Sequence, residues 1–247
     1  MSPALPKSGI DNWKKSGMKG IFVTGTDTGT GKTVLTGLLA RYMLEKGHNV
    51  ITQKWVETGC PEFISTDAGS HLKIMGCDKN DIKDYLDCIS PYVFKTAASP
   101  HLACSIEHKR INPDKIIKSF KCLSRDFDFV IVEGIGGVLV PFNKKKLVID
   151  IAKKLDLAVL IVAQNKLGAI NHTLLAIEAL RRRNIKILGV VFNNLKNGNK
   201  IVLKDNPLIV KALSKEKIFG VLAWRNRFDK LYKEFIPIGE RICRAIL

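Results

Sequence analysis

The sequence predicts a single α/β domain in which a mostly parallel β-sheet is flanked by helices on both faces. Short apolar runs of strand length alternate with helical patterns along the chain, the rhythm of strand–crossover–strand units. A glycine-rich turn closes the first apolar run and opens the first helical pattern. The 247 residues, 46% apolar and 26% charged, suffice for one well-buried core, and no low-complexity linker or internal repeat divides them.

The elements follow in order. Residues 1–18 hold no continuous apolar stretch, so they read as a flexible extension rather than a secretory signal. The domain is therefore taken as 19–247 and its compartment as cytoplasmic. Strands are expected over 20–24, 50–56, 127–132, 158–163, 185–192 and 218–222, each a run of apolar and β-branched residues. After the first, Leu35, Leu38, Leu39, Tyr42 and Met43 recur at helical spacing and Gly47 is placed as a C-cap. Further helices are expected over 113–123, 170–183 and 207–213. The basic stretch 231–247 is taken as broken by Pro237 and Gly239, which argues against a continuous amphipathic membrane helix there. Parallel strands with right-handed crossovers place ligands beyond the carboxyl ends of the strands.

Charge and cysteine content narrow the function classes. The net charge is +17, which suits anionic ligands and raises nucleic acid or anionic membrane as partners. However, 30 of the 40 basic residues are Lys, and they are scattered, with short clusters only at 14–15, 144–146 and 181–183. No aromatic residues interleave with them to stack bases. The reading is a lysine-rich solvated surface, with no nucleic acid and no membrane as partner. The six cysteines form no CxxC and no Cys/His cluster, so neither a disulfide frame nor a zinc site is supported.

The chemistry begins at Gly25-Thr26-Asp27-Thr28-Gly29-Thr30-Gly31-Lys32-Thr33, between the first strand and the first helix. A glycine-rich turn lets backbone N–H groups approach phosphate oxygens, and the helix N-terminus adds the positive end of its dipole. Lys32 is placed to reach the β- and γ-phosphates, and the Thr33 hydroxyl to ligate Mg²⁺. This is a P-loop in an unusual spacing: five residues, not four, separate Gly25 from Gly31.

That spacing resembles the phosphate loop of the dethiobiotin synthetases, and further segments resemble the same family in order. They are Lys54-Trp55-Val56-Glu57-Thr58-Gly59, Thr66-Asp67-Ala68, Ser99-Pro100-His101, Val132-Glu133-Gly134-Ile135-Gly136-Gly137 and Lys166-Leu167-Gly168-Ala169-Ile170-Asn171-His172. The resemblance implies a P-loop enzyme that joins a 7,8-diamino acid (7,8-diaminononanoate) and CO₂ into a cyclic urea, with ATP as co-substrate and Mg²⁺ as cofactor. It implies that Lys54, Lys32 and Thr28 are catalytic. Asp27, Thr28, Gly29, Thr30, Gly31, Lys32, Thr33, Val34 and Asn193 would bind the nucleotide. Thr33, Asp67 and Glu133 would hold the metal. Thr58, Glu133, Gly136, Gly137 and the helix start Gly168, Ala169, Ile170 and Asn171 would bind substrate, the last four from the partner subunit of a homodimer. Phosphoryl transfer between anions needs positioning and fixed positive charge rather than a protein nucleophile, and these residue types supply both. Lys32 and Lys54 are expected outside the core, while His101 and His172 are read as capping or packing residues.

Two departures from the family pattern stand out. Trp55 occupies a position usually held by Pro, and the 220–224 segment lacks the Pro expected near the nucleoside. Two other functions share the P-loop core. A partitioning-type ATPase that docks on DNA or membrane carries an additional Lys inside the loop, and Thr26 to Thr30 contains none. A glutamine-dependent amidoligase needs a glutaminase domain for which this chain has no room.

Overall fold

The structure, a computed structural model, describes residues 18–62 and 65–246; the extension expected over 1–18 lies almost wholly outside them. A six-stranded sheet in the order β2-β5-β1-β6-β7-β8 forms the centre. Its strands are β1 (Gly20–Gly25), β2 (Val50–Lys54), β5 (Phe129–Gly137), β6 (Ala158–Asn165), β7 (Ile187–Asn194) and β8 (Ile218–Leu222). All five neighbouring pairs run parallel. β1, β2 and most of β5 and β6 are buried, which is why they read as unbroken apolar runs rather than alternating ones.

Right-handed crossovers assign the helices to faces. α1 (Lys32–Glu45) makes the leftward connection from β1 to β2 and packs on β1, β2 and β5. α2 (Thr66–Met75) and the C-terminal helix α9 (Phe228–Ile246) pack beside it. The rightward connections put α5 (Pro113–Asp126), α7 (Ala169–Arg181) and α8 (Lys200–Ser214) over β5, β6 and β7 on the other side. Short helices α3 (Leu86–Ile89), α4 (Pro100–Ile106) and α6 (Val148–Lys154) complete the connections.

Several elements differ from the sequence reading, and β5, expected to end at 132, runs on to Gly137 and so carries Glu133 on a strand. The strand expected over 50–56 stops at Lys54, and β3 (Val56–Thr58) leaves the main sheet to pair with β4 (Tyr92–Phe94) in a two-stranded ribbon. The break falls at Trp55, which is 1% exposed, stacks on Phe22 with ring centroids 5.0 Å apart, and donates its indole N–H to Gln53 at 2.8 Å. A buried indole with its N–H satisfied is a strong anchor, so the turn at Trp55 is set by side-chain packing. α9 runs unbroken through Pro237. It buries Tyr232, Phe235, Ile238, Ile242 and Ile246, and a stripe of that size outweighs one missing backbone bond. Gly239 lies where a Cβ would come within 3.0 Å of Tyr42 on α1, which explains a glycine inside this helix as a close-packing site. The helix is therefore amphipathic and continuous, and its apolar face is already spent on the core. α8 likewise carries Pro207 within it and begins at Lys200, before the expected start.

Candidate active site

Pairing in the sheet brings the candidate residues together. Lys54 ends β2 directly opposite Glu133 on β5, which is in turn opposite Val23 on β1, just before the P-loop. Three carboxyl ends therefore meet at one point, and α2 delivers Asp67 from its first turn.

The P-loop is held by its own chain. The Lys32 ammonium donates to the Asp27 carbonyl at 3.0 Å, and the Thr28 N–H to the Asp27 carboxylate at 2.7 Å. Asn193, at the end of β7, donates its side-chain amide to the Thr30 carbonyl at 2.9 Å. Gly31 closes the loop with φ of 94°, and a Cβ there would lie 2.3 Å from that amide. Both facts require glycine.

Beyond the loop, one ionic cluster dominates. Lys54 donates to Asp67 at 2.6 Å and to Glu133 at 2.8 Å, and also reaches the Gly134 carbonyl at 3.1 Å. The Thr33 hydroxyl lies 2.9 Å from Asp67 Oδ1 and 3.0 Å from Glu133 Oε1. Lys54 and Glu133 are 3% and 1% exposed, Asp67 28%. The expectation that Lys32 and Lys54 stand outside the core is thus wrong: Lys32 is 6% exposed and Lys54 buried more deeply still. Burying such charges is tolerated only where they are paired, and here the partners are present. For Lys54, burial alone would lower the pKa, but Glu133 and Asp67 outweigh it and hold the ammonium above its ordinary range. For Glu133, burial pushes upward, yet the Lys54 charge and the His71 hydrogen bond bring it down to about 2. Lys32 moves the other way: burial, reinforced by the Lys54 charge, lowers it to about 8 against the pull of Glu133, Asp67 and Asp27.

Two residues with no role in the sequence reading support this cluster. Glu57, on β3, accepts from the Asp67 N–H at 3.1 Å, the Thr66 N–H at 3.2 Å, the Thr66 hydroxyl at 2.5 Å and the Ser65 hydroxyl. A carboxylate at the start of α2 satisfies orphan N–H groups and complements the dipole. Burial pushes Glu57 upward, but these hydrogen bonds win and its carboxyl lies below the ordinary value. His71 lies one turn after Asp67 on the same helix and is 0% exposed, with Nε2 2.7 Å from Glu133 Oε2. The i, i+4 spacing of Asp67 and His71 was the signal available in the sequence.

A cavity of about 430 Å³ opens over the cluster. It is lined by Thr28, Gly29, Gly31, Lys32, Thr33 and Val34 from the loop, and by Lys54, Thr58, Asp67, Glu133 and Gly136. Asp27 and Gly137 face a second cavity, of about 390 Å³, on the other flank of the loop beside Leu139, Val140, His172 and Leu175. Gly168 is the left-handed N-cap of α7, Ala169 is buried, Ile170 half-buried and Asn171 exposed. These four line neither cavity.

Mg²⁺ fits the donor set: the Thr33 hydroxyl has one carboxylate oxygen at 2.9 Å and another at 3.0 Å, the hard ligands this ion prefers. Among the described residues no group of three or more His, Cys, Asp or Glu forms a closed metal cage. An open set of this kind suits an ion that arrives with phosphate oxygens. Among the described residues, no helix is long and apolar enough to cross a membrane.

Residues 19–230 match the family model described as an AAA domain. The chain is 39% identical over 209 residues to the ATP-dependent dethiobiotin synthetase of Chlorobaculum tepidum, covering 84% of this chain and 87% of that one. It is also 39% identical to a second such synthetase from Haemophilus influenzae, over 75% of this chain and 96% of that one. Among solved structures, the pNOB8 ParA protein bound to nonspecific DNA superposes with a TM-score of 0.56 at 12% identity, covering 93% of this chain and 98% of that chain. At that identity the likeness concerns the fold alone. A P-loop in the dethiobiotin-synthetase spacing, a Lys held between two carboxylates beside it, and 39% identity to two synthetases lead to one conclusion: the chain belongs to the ATP-dependent dethiobiotin synthetases, carbon–nitrogen ligases of biotin biosynthesis.

Proposed function

We propose that this chain converts 7,8-diaminononanoate, CO₂ and ATP to dethiobiotin, ADP and phosphate, with the residues of the cluster in the roles below. One amine of the diamine adds to CO₂ and loses a proton, giving a carbamate. A carbamate oxygen takes the γ-phosphoryl group as the bond to ADP breaks. The second amine then attacks the carbamoyl carbon, phosphate leaves, and the urea ring closes. Each step joins or separates anions, so fixed positive charge and orientation carry the catalysis.

The observation that carries this reading is the placement of Lys54 between Asp67 and Glu133, facing the cavity shared with Lys32 and Thr28. Lys32 binds the β- and γ-phosphates with the loop N–H groups of Thr28 to Val34. Lys54 neutralises charge between carbamate and γ-phosphate. Thr28 and Thr58 donate hydroxyls to phosphate and carbamate oxygens, and Gly136 and Gly137 let the backbone approach the diamine. Thr33, Asp67 and Glu133 would hold Mg²⁺, which when bound neutralises the phosphate oxygens. Asn193 is assigned to the nucleotide. Its hydrogen bond to the Thr30 carbonyl supports a role in shaping the loop that receives it.

We assign the active unit to a cytoplasmic homodimer with no nucleic-acid or membrane partner. Support comes from the second cavity, whose rim carries Leu139 and Leu175 at 50% and 55% exposure. Gly168 to Asn171, at the start of the same helix as Leu175, would meet the partner's substrate carboxylate, with the N–H groups of Ile170 and Asn171 facing it while that of Ala169 donates to the Lys166 carbonyl at 3.1 Å.

The test is turnover. Purified protein with the diamine, bicarbonate and Mg·ATP should release ADP and phosphate in step with a cyclic urea. Hydrolysis of ATP indifferent to the diamine, with no urea formed, would sink the reading and favour a switching ATPase.

A further inference from the structure

Glu133 uses its two oxygens differently. Oε1 faces the cavity side, where it meets Lys54 at 2.8 Å and Thr33 at 3.0 Å. Oε2 faces inward and, among the described residues, meets only His71 Nε2, at 2.7 Å. The terminal torsion of a glutamate is broad and nearly two-fold. Without an inner partner, a carboxylate between Lys54 and Thr33 has no reason to prefer one oxygen or one plane. The inner partner is well built: His71 is 0% exposed, on the second turn of the helix whose first turn supplies Asp67.

The other ring nitrogen settles what His71 contributes. Nδ1 is buried and has no hydrogen-bond partner among the described residues. A proton on Nδ1 would bury an unsatisfied N–H, which is rarer and more costly than an under-used acceptor. The arrangement with the lower cost puts one proton on Nε2 and directs it at Glu133. A purely space-filling core position gains nothing from imidazole over leucine, since the orphan nitrogen only adds a desolvation cost.

We infer that His71 is a positioning residue for Glu133: its Nε2–H fixes the carboxylate plane so that Oε1 alone is presented beside Thr33 and Asp67. The inference rests on Glu133 belonging to the metal-binding set proposed above. Partners of this kind behind a ligating side chain change metal affinity by about ten- to a hundredfold when removed. His71 touches neither substrate nor nucleotide in this arrangement, so its effect must pass through Glu133.

The experiment compares His71→Gln, whose amide reaches the place of Nε2, with His71→Asn, whose amide reaches only the place of Nδ1, and with His71→Leu. Binding of Mn²⁺ to the protein with ADP is followed by electron paramagnetic resonance, and turnover against Mg²⁺ concentration is measured in parallel. The Asn and Leu variants should bind Mn²⁺ about tenfold or more weakly and recover turnover at high Mg²⁺. The Gln variant should stay within about threefold of wild type. In a Glu133→Gln background, the His71→Asn change should have no further effect on Mn²⁺ binding. Equal losses in Gln and Asn variants, wild-type Mn²⁺ binding in His71→Asn, or an undiminished effect in the Glu133→Gln background would each overturn the inference. Should His71→Leu fail to fold, the Asn–Gln pair decides alone. Failure of the wild type to form urea would remove the proposed reaction and leave the Mn²⁺ comparison standing.

Discussion

Lys54 shows what single residues contribute. Its ammonium lies between Asp67 and Glu133, with Lys54 and Glu133 almost fully buried, and removing one partner of a buried cluster leaves uncompensated charge. Lys54→Met should therefore cost about 3 kcal/mol in denaturant unfolding, the lower end of the range for such losses, because Asp67 is 28% exposed and can turn outward. Turnover should fall by about a hundredfold or more, the scale of one well-placed electrostatic contact. A variant as stable and as active as wild type would contradict the assignment. Glu133, with its pKa depressed from 4.5 to about 2, contributes stability that is full above pH 4.5 and lost as pH falls towards 2. Lys32 gives a prediction of opposite form. Burial and the Lys54 charge lower it to about 8 in the free protein, and a triphosphate beside it must raise it again. The bound state then holds the proton more tightly, so ATP affinity is full below pH 8 and falls as pH rises above it. Calorimetry at pH 8.5 in buffers of different ionisation enthalpy should show proton uptake on ATP binding, and affinity that climbs with pH would be inconsistent with this. Both lysines were legible in the sequence as chemistry; their burial was not, because motif spacing does not reveal how the sheet closes over them.

Among elements, α2 shows how the site is assembled from parts that look unrelated in the sequence. Asp67 reaches the cluster because Glu57, on a different strand, accepts from the first N–H groups of the helix. Glu57→Ala should cost about 1–2 kcal/mol in unfolding, as lost helix caps do, and should also raise the Mg²⁺ requirement because Asp67 loses its anchor. A variant destabilised with an unchanged Mg²⁺ dependence would separate Glu57 from the site. The central strands and α1 were readable from apolar runs and spacing, since nothing competes with those patterns in a doubly covered sheet. The split of 50–56 into β2 and β3 was hidden, because Trp55 has strand propensity yet turns the chain by packing on Phe22. α9 was obscured for the reverse reason: Pro237 and Gly239 argue locally against a helix, while its buried stripe, satisfied only against α1 and the sheet edge, decides the matter. Glu57 and His71 escaped because each acts on another residue of the site rather than on a ligand.

For the whole molecule, assembly is the property that one chain determines least, and the proposed reaction gives a reason to expect a dimer. The substrate's reactive amines belong beside Lys54, while its carboxylate lies several carbons away. Among the described residues, the cavity over Lys54 is lined by no cation other than Lys32 and Lys54, and both are committed to phosphate and carbamate in the proposed reaction. A separate anion site is therefore required, and the start of a 13-residue helix behind a left-handed glycine, as at Gly168 and α7, offers one through the N–H groups of Ile170 and Asn171, that of Ala169 being given to the Lys166 carbonyl at 3.1 Å. Those residues line neither cavity of their own chain, so a second copy is the natural source. The apolar rim formed by Leu139 and Leu175 lies on the flank where such a copy would sit. Covering these half-exposed leucines gains about 1 kcal/mol each, and placing the tail at a fixed helix start turns remote binding energy into orientation of the amines. Sedimentation at micromolar concentration should then show a dimer. Leu175→Glu should shift it towards monomer and raise the KM for the diamine by about tenfold or more, leaving ATP affinity within about twofold. Diamine analogues lacking the carboxylate should lose more than about 1 kcal/mol of binding to wild type, and far less to the Leu175→Glu variant, which has already lost the partner's helix start. A monomeric variant with an unchanged diamine KM would place the carboxylate site within a single chain and end the cross-subunit assignment.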